Sequence, residues 1–344
     1  MHLTGIKTNK AVGDLGEEGI IQLIQQTLPQ KLPSHVKKGI GDDCAVLETV
    51  EGRLLLVTTD TLIEGIHFTS GTISPDALGW KALAINVSDI AAMGGRASTA
   101  FLSIALKQGA TVRLLESFMA GFNAFAGKAG VVLAGGDTIE SPGPVVITVA
   151  LLGDCLKEHV VYRSGARPGD DVWVTGPLGD AAGGLFVLQN KEAFPNPEYK
   201  SLVDAHQRPT PPFEFGKAIA ESRLVHAMID ISDGVAKDLR HICEQGGVGA
   251  VVQARAIPMS RDLLRLAAVA EKDPLQWAIY GGEDYELLFA APPAHRKKIL
   301  AMTEQVPGRA AIKIGRVIEG RGIWFETEKG TKPLEPGGYV HFSR

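Results

Sequence analysis

The stretch KALAINVSDIAAMGG (81–95) constrains this chain more than any other. Its spacing predicts a helix over about 76–93 that is apolar on nearly every side, so it belongs inside the protein. Yet the helix carries Asn86 and Asp89 at i,i+3, which puts both on one face. A carboxylate buried without a partner is strongly disfavoured, so Asp89 needs a cation or a firm hydrogen-bond network. An ion pair with an arginine such as Arg96 is one solution, and a bound metal is the other.

Around this helix, strand-like and helix-like segments alternate. A helix is expected at about 15–28, where Leu15, Ile20, Leu23 and Ile24 fall near helical spacing before Pro29. Strands are expected at 54–60, 99–106, 131–136 and 145–153, with a helix at about 111–129. The polar, basic stretch from Asp154 to Asp170, ending in SGARPGD, reads as a junction. It divides the 344 residues into an N-terminal domain, 1–155, and a C-terminal domain, 156–344. Beyond it the pattern continues with strands at 171–176, 226–232, 249–253 and 285–291. Helices are expected at 177–190, 211–221, 235–245, 260–270 and 293–305, before a tail of short strands and loops. The fold class is α/β (α+β), and periodicity alone does not choose the topology.

Three apolar segments run into aspartate: LLLVTTD at Asp60, VVLAGGD at Asp137, and HAMIDISDG at Asp230 and Asp233. Strand ends in a packed core deliver side chains to fixed places, and sheet mouths are where ligands bind. A single aspartate there serves equally well as a turn former or helix cap. GIGDDCAVL (39–47) adds Asp42 and Asp43 on a glycine turn. If these carboxylates meet, the cation they want is hard, because no His/Cys cluster stands at zinc spacing; magnesium fits, and in more than one copy. Such a set suits phosphoryl transfer.

The net charge of −4 gives no electrostatic case for nucleic acid or an anionic membrane. Three scattered cysteines outside any C-x-x-C spacing, no apolar leader in MHLTGIKTNKAVGDLG and no run of membrane-spanning length point to a cytoplasmic protein. Neither a P-loop nor the protein-kinase motifs occur. TGPLGDAAGGL (175–185) has the form of a phosphate cradle at a helix start, although glycine-rich strand-to-helix turns are common.

The ordered set GIGDDCAV, TTDTLIEGIHF, KALAINVSDIAAMGG, LAGGDT, YRSGARPGD, TGPLGDAAGGL, IDISDG and GGEDYELLF resembles the thiamine-monophosphate kinase family of the aminoimidazole ribonucleotide synthetase superfamily. The likeness runs from about residue 13 to the closing GGYVHF. It implies a two-domain fold with mixed sheets flanked by helices, and a homodimer formed through the N-terminal domains. It also implies in-line phosphoryl transfer from ATP to thiamine monophosphate, with several magnesium ions. The N-terminal domain would bind ATP and metal, and the C-terminal domain would complete the active site. By likeness the metal ligands are Asp43, Thr58, Thr59, Asp60, Asp89, Asp137, Asp230 and Asp233. Gly136, Asp137, Arg163 and Ser232 resemble ATP contacts, and His67, Glu283 and Tyr339 contacts to the thiamine phosphate.

Each of these has a plainer alternative. Arg163 could be a guanidinium clamp or a surface ion pair. His67 could be a satisfied half-buried histidine, and Glu283 a turn residue. Tyr339 could face a cationic ring or only anchor the tail. No residue stands out as a general base, since the acceptor is already an anionic phosphate oxygen; catalysis falls to the metal cluster.

Overall fold

The computed structural model describes residues 16–27, 33–49, 52–304 and 310–339. The first half contains α1 (Gly16–Thr27), β1 (Val36–Lys38), β2 (Ala45–Glu48), β3 (Arg53–Ile63), α2 (Pro75–Ala92) and β4 (Arg96–Lys107). It continues with α3 (Val112–Ala129), β5 (Val132–Ser141) and β6 (Val146–Leu156). Its six strands form one mixed sheet in the order β1-β2-β3-β6-β4-β5.

The second half opens with β7 (Asp171–Val174), α4 (Asp180–Gln189), α5 (Lys200–Gln207), α6 (Phe213–Glu221), β8 (Ala227–Asp230) and α7 (Val235–Gly246). There follow β9 (Gly249–Gln253), α8 (Arg261–Val269), α9 (Pro274–Tyr280), β10 (Leu287–Ala291) and α10 (Arg296–Glu304). The last strands are β11 (Ile312–Ile318), β12 (Ile323–Thr327) and β13 (Gly330–Pro333). This sheet has seven strands, ordered β13-β12-β9-β11-β7-β10-β8, all antiparallel neighbours except β12 and β9. The α/β class is what the pattern anticipates, and mixed sheets flanked by helices are what the resemblance anticipates. The expected helix end at residue 305 lies outside the described residues, as do the start of the chain and the final five positions.

Alternation along β3 explains its place. Leu54, Leu56, Thr58 and Leu62 turn into the core, while Leu55, Val57 and Thr59 face the other way. The buried set meets α2 and α3, where Phe118, Phe122 and Phe125 are fully enclosed. Helix α3 is bounded by its own residues: the Thr111 side chain accepts from the Leu114 N–H, and Gly130 ends the helix in the left-handed conformation. The two helices cross on glycine. A Cβ on Gly121 would lie 1.6 Å from the Asp76 carbonyl oxygen, and one on Gly79 would lie 1.9 Å from that of Phe118.

Helix α2 is buried all round because it is covered from both halves. It packs on α3, β3 and β6 of the first sheet's layer and on α6 and β8 of the second. Ala92 at its end joins the cluster formed by Trp173, Phe215 and Phe289 beneath the second sheet. The interior helix that the sequence demands is thus the shared wall between two sheets. Among the described residues no helix is long and apolar enough to cross a membrane.

Candidate active site

Three carboxylates from three elements meet beside α2. Asp43 comes from the turn before β2, Asp89 from α2 itself, and Asp230 from the end of β8. Each offers an oxygen within 4.8 Å of the others. Hydroxyls and an amide hold them. The Thr58 hydroxyl donates to Asp89 Oδ2 at 2.5 Å, and the Ser88 hydroxyl donates to Asp230 Oδ2 at 2.7 Å, linking the two halves. The Asp60 N–H donates to Asn86 Oδ1 at 3.1 Å, so the i,i+3 pair on α2 fastens β3 with one residue and joins the cluster with the other.

The electrostatics are adverse. Burial pushes Asp89 and Asp230 well above the carboxylate range, and neighbouring acids add to it: Asp60, Asp230 and Asp43 for Asp89, and Asp43 for Asp230. Burial likewise pushes Asp60 up to about 6, with Asp233 adding to the effect. Arg96 is exposed on β4 and is not paired with Asp89 among the described residues, so the arginine explanation fails. The ligand atoms on offer are neutral hydroxyls and carboxylates, and the carboxylates stay anionic only beside added positive charge. That chemistry fits a hard divalent cation such as magnesium.

One cation is built in. Arg163 grips Asp43 with two parallel bonds, Nη2 to Oδ1 at 2.7 Å and Nε to Oδ2 at 3.1 Å. Asp42, beside it, faces Lys38 Nζ at 3.2 Å and Arg163 Nε at 3.8 Å. Arg163 is therefore neither a surface ion pair nor an unengaged clamp; it is a largely enclosed partner of the GDD turn.

Next to the acids opens a cavity of about 1050 Å³. Its lining includes the acidic and hydroxyl side chains Asp60, Asp89, Asp230, Ser232 and Asp233 and the aromatic rings of Phe186, Trp277, Tyr280 and Tyr339. His67 also lines it; its Nδ1 accepts from the Ile63 N–H at 3.0 Å, which fixes the ring and leaves the proton on Nε2. Glu283 reaches the cavity from a left-handed backbone position (φ 69°). Its carboxylate is met by Lys81 Nζ at 2.7 Å and His206 Nδ1 at 3.0 Å. Burial opposes ionisation there, but Lys81 and then His206 outweigh it and hold the acid down to about 2.

Four expectations need correction. Strands β3 and β5 run on to Ile63 and Ser141, so Asp60 and Asp137 sit within strands and only Asp230 ends one. Asp137 and Gly136 do not join the cluster: β5 is an exposed edge, three strands from β3 in the sheet order and so about 14 Å away. Gly136 has its own backbone reason, since with φ 154° its Cβ would fall 1.7 Å from the Leu102 carbonyl oxygen. Thr59 stands on the opposite face of β3 from Thr58 and Asp60, at the cavity's edge. Finally, the helix start in TGPLGDAAGGL is filled by the protein's own Asp284, whose carboxylate accepts from Gly179 N at 2.8 Å and Ala181 N at 3.4 Å. It is no phosphate cradle.

Several contributors go unread in the sequence. Asp238, buried on α7, accepts from the Asp233 and Gly234 N–H groups at 3.2 and 3.0 Å and shapes the turn that presents Ser232 and Asp233. Ser88 and Lys81 sit in the same apolar helix as Asp89, and a lysine there is the same anomaly as the aspartate. His206 has no signal in its local sequence.

Known proteins share this arrangement. The model of the AIR synthase related protein N-terminal domain matches residues 41–155, and that of the C-terminal domain matches 167–326. The two together define the class, a two-domain AIR synthase related enzyme. Thiamine-monophosphate kinase of Aquifex aeolicus is 38% identical over 96% of this chain and 99% of its own length. That of Salmonella typhimurium is 41% identical over 90% of this chain and 93% of its own. A solved structure of AaThiL complexed with AMPPCP and TMP superposes with a TM-score of 0.85 at 35% identity, covering 97% of this chain and 100% of that one. The chain belongs to the thiamine-monophosphate kinase family.

Proposed function

We propose that this enzyme transfers the γ-phosphoryl group of ATP directly, in line, to the phosphate of thiamine monophosphate, giving ADP and thiamine diphosphate in the cytoplasm. One observation carries the reading: a single cavity brings members of a carboxylate cluster together with aromatic rings and a further acid, Glu283. The first suits polyphosphate with metal, and the second suits a flat cationic acceptor. The relatives' names and the AaThiL complex with AMPPCP and TMP support the same substrates.

In this reading Asp43, Thr58, Asp60, Asp89, Asp230 and Asp233 hold several magnesium ions, whose charge offsets that of the phosphates and aligns them. Arg163 and Ser232 contact ATP; His67, Glu283 and Tyr339 contact the acceptor. The attacking atom is a phosphate oxygen that already lacks its proton, so the residues bind, align and exclude water, and none removes a proton. Residues 1–155 supply most of the metal and ATP ligands together with the dimer surface, and 156–344 close the site.

The isolation of Gly136 and Asp137 has a natural resolution in a homodimer formed through the N-terminal sheets. Phe101, Val132 and Ile139 leave the outer part of that sheet apolar and exposed, and edge strand β5 carries Asp137 outward toward a second copy. Mixing inactive Asp60→Asn and Asp137→Asn chains then restores part of the activity, and no recovery would refute the shared site.

The first experiment measures ADP release from MgATP with thiamine monophosphate, with thiamine, and with no acceptor, and identifies the product by mass. Thiamine diphosphate formed only from the monophosphate is the expected result. ATP binding without turnover overturns the substrate assignment.

A further inference from the structure

Helix α2 carries a second charged residue that the cavity does not touch. Lys81 is 1% exposed, about two turns before Asp89, and its ammonium group reaches Glu283 Oε1 at 2.7 Å. His206, on α5 and 3% exposed, faces the other carboxylate oxygen at 3.0 Å. Burial and the nearby lysine keep His206 below its ordinary protonation range, so Lys81 supplies the charge and the imidazole a neutral N–H. Neither nitrogen has another hydrogen-bond partner among the described residues. Two enclosed donors thus serve one carboxylate and nothing else.

Glu283 is fixed from its backbone as well. Its N–H donates to the Ser232 carbonyl at 2.7 Å, and the Tyr285 N–H donates to that of Ile231 at 2.8 Å. The loop is stitched to the strand that ends in Asp230, in a left-handed conformation that a glutamate rarely adopts. Such strain persists only when the surroundings over-determine the position.

We propose that Lys81 and His206 are positioning residues for the acceptor, acting through Glu283, and that α2 ties this anchor to the carboxylate cluster. The pair keeps Glu283 ionised and aimed into the cavity, where it takes a cationic or N–H-bearing part of the acceptor. Lys81 and Asp89 stand eight residues, about 12 Å, apart along one helix, so the same rigid element supports Glu283 and the carboxylate cluster. A phosphorylated acceptor is therefore selected for a donor or cationic group that reaches Glu283. Acceptors that carry a phosphate without that group gain nothing from Glu283. The inference rests on the proposed thiamine monophosphate kinase reading.

The test is steady-state kinetics of the full-length enzyme with thiamine monophosphate. Lys81→Met raises KM for the acceptor about 10–100-fold, the loss of a charge-assisted bond, while KM for ATP and kcat stay within about threefold. Lys81→Arg recovers much of the loss, and His206→Gln gives a smaller rise than Lys81→Met. In a Glu283→Gln background, Lys81→Met adds almost nothing, because its effect passes through that carboxylate. An unchanged acceptor KM, an equal rise for ATP, or full additivity with Glu283→Gln overturns the proposal. Should Lys81→Met not fold, Lys81→Arg and His206→Gln carry the same comparison. Wild-type enzyme that does not use thiamine monophosphate refutes the functional reading itself; a working wild type with an indifferent Lys81 refutes only this inference.

Discussion

The two acidic groupings at the cavity are built on opposite principles. In the cluster Asp43, Asp89 and Asp230 lie within 4.8 Å of one another, and burial together with mutual repulsion drives Asp89 and Asp230 toward the protonated form. In the other grouping Glu283 has a lysine and a histidine to itself and is held down to about 2. The protein supplies its own cation where a carboxylate must be ready before the ligand arrives. In the proposed mechanism it leaves the cation out where positive charge is to come from solution. Arg163 marks the border: it grips Asp43 with two bonds and acts on Asp230 only through space, and among the described residues no basic side chain bonds Asp89 or Asp230.

The largest expected effect comes from the uncompensated grouping. Asp89→Asn lowers turnover by about a thousandfold or more, since a ligand for charge on the transferring group is lost. The same variant melts at or above the wild-type temperature in chelator, because a repelling charge has been removed. An active Asp89→Asn enzyme would sink the multi-metal account. Magnesium should raise the melting temperature of wild type and raise that of Asp89→Asn much less.

Glu283→Gln should do the reverse. It strands Lys81 and His206 in the interior, so stability falls by about 3 kcal/mol, and the acceptor KM rises while the ATP KM does not. Chemical denaturation of the two variants side by side, in chelator, tests the contrast directly. A Glu283→Gln protein as stable as wild type would mean that the pair contributes nothing at rest.

The smallest effect is in the pH dependence, where the two groupings carry opposite signs. In metal-free protein Asp60 keeps its proton up to about pH 6, whereas an aspartate in the unfolded chain loses it near 3.8. The folded state then holds more protons in between, and stability falls as pH rises from about 4 to 6. Glu283 is shifted from 4.5 down to about 2, so its contribution is complete above 4.5 and lost as pH falls below that value. Melting curves in chelator should lose the upper slope in Asp60→Asn and the lower one in Glu283→Gln, and magnesium should flatten only the upper slope.

Much of this is legible in the amino-acid sequence. An apolar helix with two polar residues on one face announces both a buried wall and a loaded site, and α2 is both. The element order follows from alternation and turn chemistry, and the boundaries move where a strand outruns its apolar run, as β3 and β5 do by continuing through threonine, isoleucine and glutamate. Helices α5 and α9 escape because each is short, seven or eight residues, with too few turns to display a period. His206 escapes with α5. Asp284 escapes for a different reason: GGED reads as one acidic turn, yet Glu283 and Asp284 serve separate partners, Lys81 and His206 for one and the Gly179 N–H for the other.

By itself the sequence determined the two-sheet α/β character, the interior place of α2, the family and the cast of acidic residues, because these depend on local period and on motifs read in order. Only the tertiary structure decided who meets whom. Asp43, Asp89 and Asp230 converge and Asp137 does not, since spacing along a chain says nothing about distance between elements of different sheets. The charge of each carboxylate was decided the same way. Asp89 and Glu283 are both buried acids, and they differ in ionisation because one faces other acids and the other faces Lys81.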